Sequence, residues 1–388
     1  MTRPAVEVAD IVRAHAARFV EKNAWLTYQH LTVLRAIARC RTADLGGHID
    51  HCKGCGHEAV SYNSCRNRHC PKCQAQARLR WVAARERELL PIAYFHVVFT
   101  LPHELNALCR YNARILYDLL FAASAATMLE VAANPARLGA HIGFISILHT
   151  WGQNLLLHPH VHCIVPAGGF SSDYKSWVHP KYAFFLPVTV LGSVFRAKFA
   201  EGLRRAHARA ELRFCASTNE LRARKRFDAF IDSLFNKDWV VYAKPAFGGP
   251  TQVLRYIGRY THRVAISNHR LLSFDGDQVT FRWRDYARGN KQRKMTLDST
   301  EFLRRFVEHV LPRGFVRIRH FGYLANARRS PLLAVAREIL GAAQRPREPP
   351  DRSVRSTWRC PKCAAEMHIG PNLSAVQLLS RCKAFDTS

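Results

Sequence analysis

The stretch HTWGQNLLLHPHVHCIVPAGG, residues 149–169, decides the fold of this chain. Residues 142–149 and 155–165 are rich in apolar side chains, which predicts two strands, and Gly168-Gly169 closes the second. A third segment, YFHVVFTL at 94–101, has the β-branched and aromatic composition of a buried strand. Helical patterns occupy the segments between and after these strands. The sequence therefore predicts an α+β fold.

The predicted strand 155–165 carries the motif His160-Val161-His162. Alternate residues of a strand lie on one face, so the two imidazoles can converge on one divalent cation and leave positions open for a phosphate oxygen. The same pattern also fits a half-exposed strand with solvated histidines, and the motif alone does not decide between the two.

Cysteines are concentrated at residues 52–73, in a segment that loses helical and strand periodicity. In a chain that is not secreted, such clustering indicates metal rather than disulfides. Two Cys-x2-Cys pairs predict one structural zinc site, held by Cys52, Cys55, Cys70 and Cys73. Cys65, His57 and His69 are additional ligands that could replace one cysteine or bind a second ion. The flanking Arg66 and Arg68 predict that this module contacts DNA.

A tyrosine pair, Tyr256 and Tyr260, falls on a helix predicted at 251–264. Residues four apart share a helical face, so both phenols can reach one site, although such pairs are also common packing residues. Arg259 and Arg263 lie beside them and could hold phosphate or favour the phenolate.

Charge identifies the class of partner. The 388 residues include 58 basic and 29 acidic side chains, a formal net charge of +29. Such an excess predicts a nucleic-acid partner. No secretory signal or membrane-spanning run is evident, so we expect a cytoplasmic protein without a membrane partner.

Two further segments suggest sites. Residues 278–294 interleave basic and aromatic side chains, among them Arg282, Trp283 and Arg284, which can neutralise phosphates and stack bases of single-stranded DNA. An amphipathic strand with its aromatic side chains in the core explains the same pattern. In the tail, Cys360 and Cys363 could form a second zinc site with His368 and Cys382, at irregular spacing.

Taken together, the strand with His160-Val161-His162, the downstream helix with paired tyrosines and the strong positive charge resemble the HUH endonucleases. More closely, the chain resembles the two-tyrosine transposases of the insertion sequence ninety-one family over almost its whole length. The blocks that carry this resemblance are SCRNRHCPKC, HVVFTLP, HTWGQNLLLHPHVHCIVPAGG and RYIGRYTHRVAISN. The resemblance implies a central antiparallel sheet flanked by helices, with a small N-terminal zinc-binding module.

That resemblance also implies a mechanism. His160 and His162 would hold Mg²⁺ or Mn²⁺, and Tyr256 or Tyr260 would attack phosphorus to give a 5′-phosphotyrosine in rolling-circle transposition. A third metal ligand varies among related nucleases. Gln153 is the preferred residue and His149 the alternative.

The predicted domains are an N-terminal helix and zinc module (1–90), the HUH catalytic domain (91–268), a basic β-rich DNA-binding region (269–345), and a linker with the cysteine-containing tail (346–388). The expected partners are single-stranded DNA at transposon ends and target, and a host helicase, with nucleoid association when bound to DNA. Two other functions use part of these features: a zinc-dependent DNA-binding regulator without catalysis, and a plasmid replication initiator or relaxase with the same chemistry.

Overall fold

The computed structural model describes residues 4–181, 185–245, 258, 265–285, 288–341 and 358–385. In it the chain forms two compact units that are not consecutive in sequence. The first comprises Met1–Ala77, Ile266–Arg304 and Arg345–Ser388, and the second comprises Arg78–Ala265 and Arg305–Gln344. This differs from the four consecutive segments predicted above, because some strands from the C-terminal third of the chain belong to the first unit and others belong to the second.

Ten helices and thirteen strands are named here for the described residues. The helices are α1 (Val8–Glu21), α2 (Tyr28–Arg39), α3 (Gln74–Glu86), α4 (Asn106–Tyr111), α5 (Ala113–Ala133), α6 (Val188–Ala208), α7 (Arg224–Ser233), α8 (Ser299–Val307), α9 (Arg329–Ile339) and α10 (Ala375–Phe385). The strands are β1 (Gly47–Cys52), β2 (Glu58–Tyr62), β3 (Tyr94–Thr100), β4 (Gly143–Trp151), β5 (Leu157–Pro166), β6 (Gly169–Phe170), β7 (Trp177–Val178), β8 (Val241–Pro245), β9 (Leu271–Asp275), β10 (Gln278–Asp285), β11 (Lys291–Asp298), β12 (Ile318–Gly322) and β13 (Met367–Leu373).

The second unit is built on a five-stranded antiparallel sheet in the order β12-β4-β5-β3-β8. The strands predicted at 94–101, 142–149 and 155–165 are its three central members, β3, β4 and β5. Side chains of β3 and β5 alternate between the two faces, as the pleat requires. Val97, Phe99 and Val161 are fully buried on one face, where they pack in a core shared with α5 and α6. The α+β prediction with an antiparallel sheet flanked by helices is confirmed.

Helix α5 combines length with high hydropathy. It spans 21 residues with a mean hydropathy of 1.5, enough by length and composition for a membrane span. Its side chains Leu116, Leu120 and Phe121 are nevertheless buried in the core of the second unit, against the sheet and α6. The core helix of a folded domain can have the same length and composition as a membrane span, and burial explains the composition of α5.

The first unit contains two three-stranded sheets, β13-β1-β2 and β11-β10-β9. In the second of these, β9 and β10 are joined by a tight turn between Asp275 and Gln278, where Gly276 has φ +54°. Glycine accepts this left-handed conformation without steric cost. Phe281 of β10 is fully buried and meets Phe302 of α8 edge-on, with 6.1 Å between ring centroids.

Candidate active site and metal centres

Three histidines meet on the face of the central sheet opposite the α5–α6 core. His149 lies on β4, and His160 and His162 lie on β5, where His149 pairs directly with His160. One nitrogen from each ring lies within 4.8 Å of the others. The ring centroids of His149 and His162 are 4.3 Å apart, and those of His160 and His162 are 4.8 Å apart. The structure therefore brings together the two predicted ligands and a third imidazole.

Hydrogen bonds fix which nitrogen each ring of β5 presents. The Nδ1–H of His160 donates to the backbone carbonyl of His158 at 2.6 Å, since a carbonyl oxygen can only accept. Nε2 of His160 therefore keeps its lone pair. The Nδ1 of His162 lies 2.7 Å from Nε2 of His96 on β3, and the two rings stack with centroids 5.0 Å apart. Contacts of this kind orient metal-binding histidines and set their tautomers.

Burial keeps these imidazoles neutral, which is the form that binds a cation. Burial lowers the pKa of His160 to about 3 and that of His162 well below its ordinary value, with the neighbouring histidines adding to both shifts. Burial also lowers the pKa of His96 to about 4. The rings of His160 and His162 are therefore uncharged at neutral pH and suited to hold a divalent cation.

Strand pairing favours the alternative third ligand over the preferred one. His149 is opposite His160 in the β4–β5 ladder, whereas Gln153 lies beyond the end of β4, in the turn before β5. The β4–β5 ladder starts with Trp151 opposite Leu157, and counting outward from there would place His149 opposite Pro159. A register shift between His149 and Trp151 moves the pairing by one residue and brings His149 opposite His160. The sequence alone did not show this irregularity.

The same face of the sheet carries a tyrosine and a lysine at its edge. Tyr242 and Lys244 of β8 pair with Val98 and His96 of β3, so they share the face of the histidines. Tyr242 is exposed, and the Lys244 ammonium lies 5.3 Å from the centroid of its ring. Two strand spacings separate Tyr242 from His162, or about 10 Å. The predicted tyrosines Tyr256 and Tyr260, with Arg259 and Arg263, lie outside the described residues.

The predicted four-cysteine site is divided between two clusters. Cys70 and Cys73 cluster with Cys40 and Cys65, while Cys52 and Cys55 cluster with the tail cysteines Cys360 and Cys363. The prediction of one site from Cys52, Cys55, Cys70 and Cys73 is therefore wrong in its pairing. Cys65, predicted above as an additional ligand, is a member of the first cluster. Cys40 was not predicted as a ligand. Residues 65–73 supply three cysteines, whereas a tetrahedral zinc site needs four ligands. The missing fourth ligand is the signal that could have pointed to Cys40.

The first cluster, Cys40, Cys65, Cys70 and Cys73, has the dimensions of a zinc site. The Sγ of Cys73 lies 3.5 Å from the Sγ of Cys40 and 3.5 Å from that of Cys65. Tetrahedral coordination at a Zn–S distance of about 2.3 Å places sulfurs about 3.8 Å apart, close to these values. Hydrogen bonds from the thiols of Cys65 and Cys70 lower the pKa of Cys40 to about 7. Four thiolates would close the coordination shell, which suits a structural ion.

The predicted DNA-binding residues lie on several surfaces. Arg66 is exposed beside the first cysteine cluster, and Arg68 is half-buried, which lowers its pKa. Arg282 and Arg284 are exposed on one face of β10, and Trp283 is half-buried on the other. Strand alternation separates the two kinds of side chain, so the interleaved stacking surface predicted for 278–294 is not formed by these three residues.

Comparison with known proteins identifies the family. A family model described as "Transposase zinc-binding domain" matches residues 11–101, and one described as "Putative transposase" matches residues 143–331. The chain is 48% identical over 374 residues to "Putative transposase y4qJ" of Sinorhizobium fredii (strain NBRC 101917 / NGR234), covering 94% of each chain. It belongs to the insertion sequence ninety-one family of transposases.

A second relative agrees with this assignment. The transposase for insertion sequence element IS801 of Pseudomonas savastanoi pv. phaseolicola is 27% identical over 321 residues, which cover 80% of this chain and 73% of the relative. No solved structure gives a significant match to the chain. The zinc-binding segment contains all of Cys40, Cys65, Cys70 and Cys73, so this transposase has structural zinc in its N-terminal module. The second matched segment contains all three clustered histidines.

Proposed function

We propose that this transposase nicks and joins single-stranded DNA through a 5′-phosphotyrosine, with a divalent cation held by His149, His160 and His162. The observation that carries the proposal is the convergence of three imidazoles, with ligand nitrogens within 4.8 Å of one another, on one face of the sheet. A structural site would surround its ion. Here the ligands come from two adjacent strands and occupy one side only, so phosphate oxygens and water can complete the shell.

The donor set favours one of the two expected cations. Mg²⁺ prefers oxygen ligands, whereas imidazole binds the first-row transition metals more strongly than it binds Mg²⁺. Mn²⁺ is the weakest binder of that series. We therefore expect Mn²⁺ to support cleavage at lower concentration than Mg²⁺. The bound cation would supply Lewis acidity at the scissile phosphate. The residues of the chain contribute its position: His96 and the His158 carbonyl hold the rings of His162 and His160 in place.

Tyr256 and Tyr260 are the proposed nucleophiles. The phenolic oxygen forms a bond to phosphorus while the bond from phosphorus to the 3′ oxygen breaks. The proton lost by the phenol balances the proton gained by the 3′-hydroxyl. The phosphotyrosine keeps the energy of the phosphodiester, so a second 3′-hydroxyl can reverse the step without a nucleotide cofactor. A second tyrosine permits another cleavage while the first DNA end stays attached.

The charge of the chain supports a DNA substrate. A net charge of +29 is distributed over exposed side chains such as Arg66, Arg282 and Arg284. Phosphate contacts of this kind are sequence-independent and bring the strand to the protein. Opening of duplex ends would then be the task of a host helicase, and the reaction would take place in the cytoplasm, at the nucleoid.

The decisive experiment is a covalent-adduct assay. Labelled single-stranded end DNA is incubated with the full chain and Mn²⁺, and the products are separated on a denaturing gel. We expect a protein–DNA adduct that a chelator abolishes and that the double variant Y256F/Y260F does not form, because phenylalanine keeps the packing but lacks the oxygen.

Tyr242 provides the matched control, because its exposed phenol lies on the histidine face. Y242F should form the adduct as the wild type does. Loss of the adduct in Y242F together with its persistence in Y256F/Y260F would place the nucleophile on β8. Absence of any adduct in the wild type would instead favour a protein that only binds DNA.

A further inference from the structure

The second cysteine cluster joins the two ends of the chain. The Sγ atoms of Cys52 and Cys363 are 3.4 Å apart across 311 residues of sequence, and those of Cys55 and Cys360 are 3.6 Å apart across 305. These distances are much longer than the roughly 2.05 Å of a disulfide and close to the spacing of about 3.8 Å in a tetrahedral zinc–thiolate site. All four thiols are free cysteines.

The two Cys-x2-Cys turns of this cluster have the same backbone geometry. The N–H of Gly56 donates to the Cys52 carbonyl at 2.9 Å, and the N–H of Ala364 donates to the Cys360 carbonyl at 2.9 Å. Gly56 has φ +69° and Ala364 has φ +60°, each directly after the second cysteine of its pair. A non-glycine residue such as alanine rarely adopts this left-handed conformation. Its presence at the equivalent position indicates that both turns are shaped for the same task.

Strand pairing delivers the tail pair to the N-terminal pair. Strand β13 pairs antiparallel with β1, with Gly47 opposite Leu373 and Cys52 opposite Met367. Because β1 also pairs with β2, it is the central strand of the sheet, and the tail satisfies backbone groups that would otherwise form an open edge. The tail is therefore part of the fold of the N-terminal module.

A buried polar contact holds the same segment. The Asp50 side chain is fully buried, and its Oδ2 accepts hydrogen bonds from Ser61 Oγ at 2.6 Å and from Trp358 Nε1 at 3.0 Å. Trp358 lies just before the first tail cysteine, and Met367, just after the turn, is buried beside Cys52 and Cys360. A buried carboxylate needs such donors, since leaving it unpaired is costly. The docking of the tail therefore depends on this buried contact as well as on the cysteines.

We propose that Cys52, Cys55, Cys360 and Cys363 form a second structural zinc site, which fastens the C-terminal tail to the N-terminal module. The folded chain then carries two zinc ions, one in each cysteine cluster. The family model for the zinc-binding domain ends at residue 101 and so includes only half of this ligand set. The sequence-based pairing of Cys360 and Cys363 with His368 and Cys382 is replaced by one across β1 and β13. The Cys382 side chain lies outside the described residues.

Zinc stoichiometry of the purified full chain tests the proposal. Native mass spectrometry and elemental analysis should find two zinc ions per wild-type chain and one in C360S/C363S. The variant C363H, which keeps a zinc ligand at the same position, should retain both ions. C215S is the matched control: Cys215 is exposed and belongs to neither cluster, so its removal should leave two. One ion in the wild type, or two in C360S/C363S, overturns the proposal.

Thiol labelling of the wild type tests it without any variant. Cys55 and Cys363 are exposed, as Cys215 is. In the presence of a phosphine reductant, which excludes disulfides, N-ethylmaleimide should label Cys215 at once. Cys55 and Cys363 should react only after a zinc chelator is added. If these two cysteines label as fast as Cys215 before chelation, the proposed site is absent, whatever the solubility of the serine variants.

Discussion

The histidine cluster and the cysteine clusters place metal ligands on the chain in opposite ways. His149, His160 and His162 come from two neighbouring strands separated by one short turn, and the sheet that holds them is already stabilised by the α5–α6 core. The cysteines come from turns and a helix end, and one cluster joins residues 311 apart. A site on a sheet that is stable by itself can lose its ion and keep its shape. A site in a segment whose folding depends on the ion loses its shape when the ion is removed.

The two kinds of site also differ in what surrounds the ion. Four thiolates complete a tetrahedron and leave no position for substrate, so the ion contributes to folding. Three imidazoles on one face leave positions open, so the ion can contribute to a reaction. Removal of ligands should therefore affect stability at the cysteines and catalysis at the histidines. The predictions below separate these outcomes.

The largest effect is expected for the first cysteine cluster. In C70S/C73S the zinc of that cluster and the fold of the N-terminal module should be lost together, because structural zinc contributes on the order of 10 kcal/mol to such modules. The measurement is zinc content and thermal unfolding of the soluble fraction, with C215S as the unchanged control. Soluble C70S/C73S with the zinc content and unfolding of the wild type would contradict the assignment.

The next largest effect is expected for H160A/H162A. Cleavage of labelled single-stranded DNA should fall at least about a thousandfold, since a cation contributes several kcal/mol of transition-state stabilisation. Binding measured by fluorescence anisotropy should change little, because it rests on many arginines, and the unfolding temperature should be retained.

His158 offers a close control for this double variant. Its backbone carbonyl accepts the hydrogen bond from His160, and its ring centroid lies 5.1 Å from that of His160. H158A keeps the carbonyl and all three proposed ligands, so it should cleave nearly as the wild type does. An H160A/H162A protein that unfolds as readily as C70S/C73S would remove the distinction between the two kinds of site.

The smallest effect separates His149 from Gln153. H149A should raise the Mn²⁺ concentration needed for half-maximal cleavage by more than about tenfold, which corresponds to about 1.4 kcal/mol of lost metal binding. Q153A should raise it less, because Gln153 lies beyond the β4–β5 ladder. The measurement is a Mn²⁺ titration of initial cleavage rates for both variants. The reverse ranking would restore Gln153 as the third ligand.

Local periodicity was enough to predict the five-stranded sheet's central strands. The composition of 94–101, 142–149 and 155–165 predicted its three central strands, and alternation placed His160 and His162 on one face. The same rule predicts that Arg282 and Trp283, adjacent on β10, lie on opposite faces. The interleaved surface predicted for that segment ignored this alternation. The N-terminal helix predicted ahead of the zinc module is two helices, α1 and α2.

The sequence by itself determined the family, the excess of positive charge, and which residue types are available to bind metal. Only the tertiary structure decided how those residues are grouped. Cys52 and Cys55 lie as close along the chain to Cys70 and Cys73 as a zinc site requires, yet they meet Cys360 and Cys363. The reason is physical: spacing along the chain limits which ligands can meet, but strand pairing between β1 and β13 fixes which of them do. Such pairing depends on backbone hydrogen bonds and burial across the whole chain, and no local pattern records it.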